Sequence, residues 1–215
     1  GAREIVIGYG LTESSSWITE ARPDDPLELR VSTVGRPLPN VEVKMVDPGT
    51  GEEVPLGSAG ELCARGFNMK GYYKMPAATE KAIDREGWLH SGDLGTMDEK
   101  GYVRMTGRLK EVITRGGETI YPTEIEEVLF SHPGVSNVQI FGVPDKELGE
   151  EIAAWIKLEE GASVTEGEIL KYSKEKLPDS HLPRYIKFVK EFPMTPLGKI
   201  QKFKMREMAV KEYGL

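Results

Sequence analysis

The stretch Gly101–Glu127, G-Y-V-R-M-T-G-R-L-K-E-V-I-T-R-G-G-E-T-I-Y-P-T-E-I-E-E, restricts the fold more than any other part of the chain. Tyr102, Val103 and Met105 open it as a short alternating strand, and the charged group Arg108-Leu109-Lys110-Glu111 interrupts it. Val112, Ile113 and Ile120 are strand formers on either side of Gly116-Gly117, a pair free to take up positive φ. Pro122 then suits a first helical position, where its missing N–H would be unpaired in any case. Ile125, Val128 and Leu129 follow at helical spacing. On the residues alone this is a strand, then a hairpin that feeds a helix.

The 215 residues suffice for one large or two small domains with real cores. The net charge of −7, carried by both halves, argues against nucleic acid as a partner. No run approaches 18 apolar residues, so no membrane span is expected. The single cysteine, Cys63, excludes an internal disulfide and suits a reducing, cytoplasmic setting. His90, His132 and His181 show no metal-ligand spacing. The chain opens on Gly-Ala rather than Met and reads as one that begins inside a longer protein, so a targeting signal would lie outside it.

The first half reads as β structure. Glu4–Ile7 is an apolar strand, Gly8-Tyr9-Gly10 a tight turn, and 20–33 a polar loop. The alternation of Val41, Val43 and Met45 predicts a strand, as do Glu61–Arg65, Trp88–Leu94 and Tyr102–Thr106, with a helix over Pro76–Ile83. Strands at this spacing predict an antiparallel sheet or small barrel. Beyond Lys110 the chain reads α+β. The helix from Pro122 stops near His132-Pro133-Gly134, and strands follow at Val135–Val143 and Ile152–Leu158. In the second of these, Ala154, Ile156 and Leu158 face one side and Trp155 the other. Gly149-Glu150-Glu151 is a turn. Thr165 and Glu168 form a capping box for a helix over Glu166–Leu177, and Tyr185–Val189 is a third strand. The basic run Lys202, Lys204 and Arg206 reads as a solvated face.

Several positions carry the residue types that chemistry needs, each with a plainer alternative. Gly10, Thr12 and Glu13 offer close backbone approach, a hydroxyl and a carboxylate suited to Mg²⁺, or simply a strand end with a polar turn. Asp93 ends G-W-L-H-S-G-D and is either a turn aspartate or an acceptor for two hydroxyls. Arg108 and Lys199 are a strand-end cation and a loop cation. Gly198-Lys199 is not a P-loop tail, because the upstream glycine and the following Ser/Thr are missing.

Four segments in order, G-Y-G-L-T-E (Gly8–Glu13), G-W-L-H-S-G-D (Gly87–Asp93), G-R-L-K-E-V-I-T-R-G-G-E-T-I-Y-P (Gly107–Pro122) and P-M-T-P-L-G-K-I (Pro193–Ile200), resemble the motifs of the adenylate-forming (AMP-binding) enzymes. The resemblance spans nearly the whole chain. It implies the C-terminal part of such an enzyme: residues 1–109 as the end of the large domain, with an antiparallel β-barrel-like subdomain, and residues 110–215 as a small mobile α+β lid. It implies that Tyr9, Gly10, Thr12, Asp93 and Arg108 contact the nucleotide, that Glu13 holds Mg²⁺ and that Lys110 is the hinge. Lys199 would be catalytic at the α-phosphate, Gly116 and Gly117 would line the pantetheine tunnel, and Lys174 is a candidate for a CoA phosphate contact. The implied substrates are ATP, a carboxylic acid and CoA, with AMP as a product.

R-G-G-E-T-I-Y-P-T-E-I-E is closer to fatty and aryl acyl-CoA ligases than to peptide-synthetase domains. An amino-acid or aryl-acid adenylation domain is the rival within the family, and a partner-binding module over 111–215 the rival outside it. The family's Ser/Thr/Gly-rich phosphate loop is not in this sequence, so the chain alone is expected to be inactive.

Overall fold

A computed structural model describes residues 5–215. The chain forms two compact units, Gly1–Lys110 and Glu111–Leu215.

The first unit holds two antiparallel sheets. One consists of β1 (Gly8–Leu11), β2 (Ser16–Glu20) and β3 (Arg36–Pro37), with α1 (Leu27–Ser32) between the last two. The other is β4 (Glu42–Val46), β5 (Gly60–Arg65), β6 (Leu89–Met97) and β7 (Val103–Arg108) in sequential order, with α2 (Pro76–Ala82) before β6. Alternation sorts their side chains. Met45, Leu62, Ala64 and Val103 share a core with Ile18 of the first sheet, against which Tyr9 also packs. Backbone bonds between Val103 and both Val34 and Gly35 tie the sheets together, yet they do not close. Of the two forms expected, antiparallel sheet or small barrel, the described residues take the first, as a pair of open sheets.

Three local expectations in this unit change. Of the anticipated strand Glu4–Ile7, Glu4 lies outside the described residues and 5–7 are not strand. The strand is Gly8–Leu11 instead, the segment read as a turn. Its glycines answer to packing: a Cβ on Gly8 would fall 2.6 Å from the Trp17 ring, and one on Gly10 only 1.8 Å from the Ser16 carbonyl oxygen. The 20–33 loop contains α1, which has no buried residue and so leaves no periodic apolar signal.

The second unit is a five-stranded sheet between helices. Its strands are β8 (Ile113–Arg115), β9 (Glu118–Ile120), β10 (Val135–Asp145), β11 (Gly149–Leu158) and β12 (Tyr185–Phe188); its helices are α3 (Pro122–Phe130), α4 (Glu166–Lys174) and α5 (Lys202–Tyr213). β11 is central. It pairs along its length with β10, and on its other side with β8 at Gly149 and with β12 in parallel. Ile152, Ala154 and Ile156 bury against α3 and α4 through Ile125, Leu129 and Ile169. Ala153 and Trp155 bury on the opposite face against Met205 and Ala209 of α5. Burial on both faces explains the unbroken apolar run I-A-A-W-I.

The three strands and two helices expected after Tyr121 are all present, the two strands of the expected hairpin join the same sheet, and α5 is an addition. The first residues of β11 occupy the 149–151 position read as a turn. α4 keeps its capping box, with Thr165 Oγ1 accepting from the Glu168 N–H and Glu168 accepting from the Thr165 N–H, but ends at Lys174 rather than Leu177. The basic run after Gln201 is the start of α5, and Lys202 is partly buried and paired rather than on a solvated face. Its ammonium lies 3.1 Å from Glu111 and 2.8 Å from Glu126.

Candidate functional site

In the first unit a cleft of about 350 Å³ opens beside the β6–β7 pair, with Leu11, Glu13, Tyr72, Asp93, Arg108 and Lys110 among its walls. Strand register does most of the placing. Asp93 and Arg108 are direct cross-strand partners, and their side chains meet with Nε 3.0 Å from Oδ1. The Tyr9 hydroxyl arrives from β1 and donates to Oδ2 at 2.7 Å. Asp93 is therefore buried and held at both oxygens. Each of those oxygens has two lone pairs, so two acceptor positions remain. Burial, and then the Asp93 carboxylate against a downward pull from Ser91, hold the Tyr9 phenol well above the usual tyrosine range.

The turn that delivers Asp93 has its own supports. The register slips between Glu61 and Cys63 on β5, giving β6 extra residues there. Gly92 takes φ 71° and donates its N–H to Glu61 at 2.9 Å. The Asp93 N–H donates to Ser91 Oγ at 3.1 Å. Glu13 sits in the single 3₁₀ turn Thr12–Ser14 after β1, accepting from the Tyr72 hydroxyl at 2.9 Å. That bond first, then burial, raises the Tyr72 phenol. Glu13 keeps acceptor capacity for a hard cation.

The structure thus brings together Glu13, Asp93, Arg108 and Lys110, with Tyr9 reaching them through Asp93. Gly10 and the exposed Thr12 are not among the described residues that line the cleft. Lys110 is exposed in a 3₁₀ turn over Leu109–Glu111.

The remaining candidates lie in the second unit. Gly116 and Gly117 form the two-residue loop between Arg115 and Glu118, at φ 60° and 84°, the pairing that a type I′ hairpin demands. A Cβ on Gly117 would meet open space, so backbone conformation rather than crowding requires glycine there. Lys199 is exposed on a closed loop. Met194 bridges to Ile200, the Thr195 N–H donates to the Lys199 carbonyl at 2.8 Å, and the Lys199 N–H donates to Thr195 Oγ1 at 3.1 Å. Lys174 is exposed in the last turn of α4.

Two constellations escaped the sequence reading. Arg115 pairs with the fully buried Glu151 and donates to the Ser180 carbonyl, bracing the base of the glycine hairpin. Glu61, Cys63 and His90 cluster on β5 and β6. Their positions are 61, 63 and 90, and only strand pairing makes them neighbours.

Comparison with known proteins puts a family to this geometry. The model of the AMP-binding enzymes matches residues 1–73, and that of the AMP-binding enzyme C-terminal domain matches 124–199. The chain belongs to the adenylate-forming, AMP-binding enzyme family. Among curated members it is 54% identical over its full length to the putative acyl-CoA synthetase YngI of Bacillus subtilis. It is 45% identical, again over its full length, to the mitochondrial medium-chain acyl-CoA ligase ACSF2 of Danio rerio. It spans 39% and 36% of those two relatives' own lengths. Among solved structures, ATP-bound MatB from Rhodopseudomonas palustris matches with a TM-score of 0.91 at 34% identity, over 97% of this chain and 41% of that one. The o-succinylbenzoate CoA synthetase MenE of Bacillus subtilis with its acyl-adenylate intermediate matches at 0.85 and 31%, over 95% and 41%. Among the described residues, no helix is long and apolar enough to cross a membrane.

Proposed function

We propose that this chain is the C-terminal, nucleotide-facing part of an acyl-CoA synthetase acting on medium-chain or longer fatty acids. The observation that carries the reading is the cleft in which Asp93 is held by Tyr9 and Arg108 beside Glu13. The kinship to acyl-CoA synthetases and ligases supports the reaction class.

In the first half-reaction the fatty acid carboxylate forms a bond to the α-phosphorus of ATP as the bond to pyrophosphate breaks, giving acyl-AMP. In the second, the CoA thiol bonds to the acyl carbon, its proton is lost to solvent, and AMP leaves. An ionised Asp93 with two remaining acceptor positions suits a ribose diol, because a neutral amide presents only one accepting oxygen. Arg108 can bond sugar and phosphate oxygens together through its planar fork. Mg²⁺, held by Glu13, would neutralise charge on the phosphates. Lys199 supplies a cation at the α-phosphate, an effect worth roughly 10²–10³ in rate where water is excluded. Thr12 adds a hydroxyl for a phosphate oxygen, and the backbone at Tyr9 and Gly10 flanks the adenine. Lys110 is the pivot about which the lid turns, so that Gly116 and Gly117 border the CoA arm and Lys174 its phosphate.

The test is Lys199→Ala in an enzyme that also carries the phosphate loop, assayed on a panel of acids. Pyrophosphate release falls to background, while thioester formation from supplied acyl-AMP and CoA is largely spared. Equal loss of both steps overturns the role of Lys199, and failure of every fatty acid with the unaltered enzyme overturns the substrate class. The 215-residue chain alone is expected to give background turnover.

A further inference from the structure

We propose that the four-stranded sheet carries, on the face opposite its main core, a binding site for a thiophilic divalent cation of the zinc class, held by the buried Glu61 and Cys63 and by His90. Glu61 and Cys63 are two residues apart on β5 and so share a face, opposite the one that Leu62 and Ala64 bury in the core. Cys63 is the cross-strand partner of His90 on β6.

Three donor atoms converge. Cys63 Sγ lies 3.4 Å from His90 Nδ1, the same nitrogen lies 2.8 Å from Glu61 Oε2, and all three atoms fall within 4.8 Å of one another. Ligands on a tetrahedral zinc stand about 3.2–3.7 Å apart, so closure asks for side-chain movement of about 1 Å. Hydrogen bonding alone serves the cluster poorly. If Nδ1 carries its proton it can satisfy the carboxylate but has no lone pair for the thiol; if it lacks the proton it leaves the carboxylate facing a lone pair. A cation at the point of convergence satisfies all three, and a thiolate with a carboxylate balances its double charge.

The surroundings are those of a metal centre. The other ring nitrogen of His90 lies 3.7 Å from Asp84 Oδ2, and Asp84 is fixed by the N–H groups of Glu86 and Trp88, each at 2.9 Å from Oδ1. The remaining oxygen of Glu61 accepts the Gly92 N–H. Such outer partners orient metal ligands: the carboxylate's is in hydrogen-bond contact, and Asp84 would have to move a few tenths of an ångström closer to bond the imidazole. His90 also borders the cleft. Soft sulfur with imidazole and one carboxylate selects a zinc-like ion over magnesium. Such an ion would clamp β5 to β6 across the irregularity that supports Asp93.

Without a cation, burial and then Glu61 push the Cys63 thiol up to about 12, with Lys44 acting the other way and Asp84 adding to the rise. Binding must therefore displace the thiol proton.

The test is a titration of the metal-free 215-residue chain with Co²⁺, then Zn²⁺. The expected result is one tetrahedral cobalt spectrum with a thiolate charge-transfer band, saturating at one equivalent, accompanied by proton release and erased by Zn²⁺. Because Cys63 is the only cysteine, the band reports on this site alone. Cys63→Ser abolishes the band, and Asp84→Asn weakens binding about 10–100-fold. An octahedral spectrum without the thiolate band in the unaltered chain overturns the proposal, whether or not the variants fold. So does binding that Cys63→Ser leaves intact.

Discussion

Asp93 is held by a neutral hydroxyl and by a full positive charge, and the hydroxyl is expected to contribute more to stability. The Tyr9 hydroxyl donates over 2.7 Å to a carboxylate whose side chain is 8% exposed. A hydrogen bond to an ionised group contributes roughly 1.5–3 kcal/mol, and water entering from the cleft places this one near 1.5. Phe in place of Tyr9 keeps the ring contacts with the core, so the hydroxyl is what is measured. Arg108 is 52% exposed, and an ion pair so open to solvent contributes about 0–1 kcal/mol. Hydrogen exchange at β6 and β7 amides reads the first unit by itself. Tyr9→Phe should speed exchange of its slowest amides about tenfold. Arg108→Ala should speed the same amides less than about fivefold. The reverse order, with Arg108→Ala the more damaging, would refute the argument that burial of the partner decides the worth of each contact.

Three further outcomes follow from the geometry. Because the folded Tyr9 phenol titrates above its unfolded value, stability is full below the ordinary tyrosine range near pH 10 and declines as pH rises through it. Tyr9→Phe should flatten that decline in alkaline urea titrations. Glu168 is held below the usual glutamate range by the backbone and then the side-chain hydrogen bonds of Thr165. Its contribution is present above the unfolded value near pH 4.3 and is lost as pH falls through the lower folded one. Glu168→Gln should therefore lower the denaturation midpoint at neutral pH and have a smaller effect in acid. Gly117→Ala should cost about 1–2 kcal/mol because of its positive φ, and Gly117→Asn less, as read from unfolding midpoints. Equal costs would mean that the loop has changed its turn.

Much of the architecture was legible because it rests on local rules. Pro122 opened α3, Gly116-Gly117 made the hairpin, and Thr165 with Glu168 started α4, since each is decided within a few residues. The faces of β11 could be read from alternation. α5 could not. Its buried stripe is only Met205 and Ala209, with Tyr213 stacked on Tyr185 at 4.6 Å, while Phe203 and Met208 stay exposed. The spacing of 205, 209 and 213, ended by Gly214 in the left-handed conformation, was the available signal, and the surrounding lysines masked it.

By itself, then, the sequence determined the strands and helices whose signals are local, and the order of motifs that marks the family. Tertiary structure alone decided that the first unit is two open sheets, because closure depends on which strand edges find each other at long range. It also decided that Tyr9, 84 residues away, reaches Asp93, and that positions 61, 63 and 90 converge. No short-range pattern specifies such pairings; they follow from sheet register, which is fixed by burying one whole face of each strand at once.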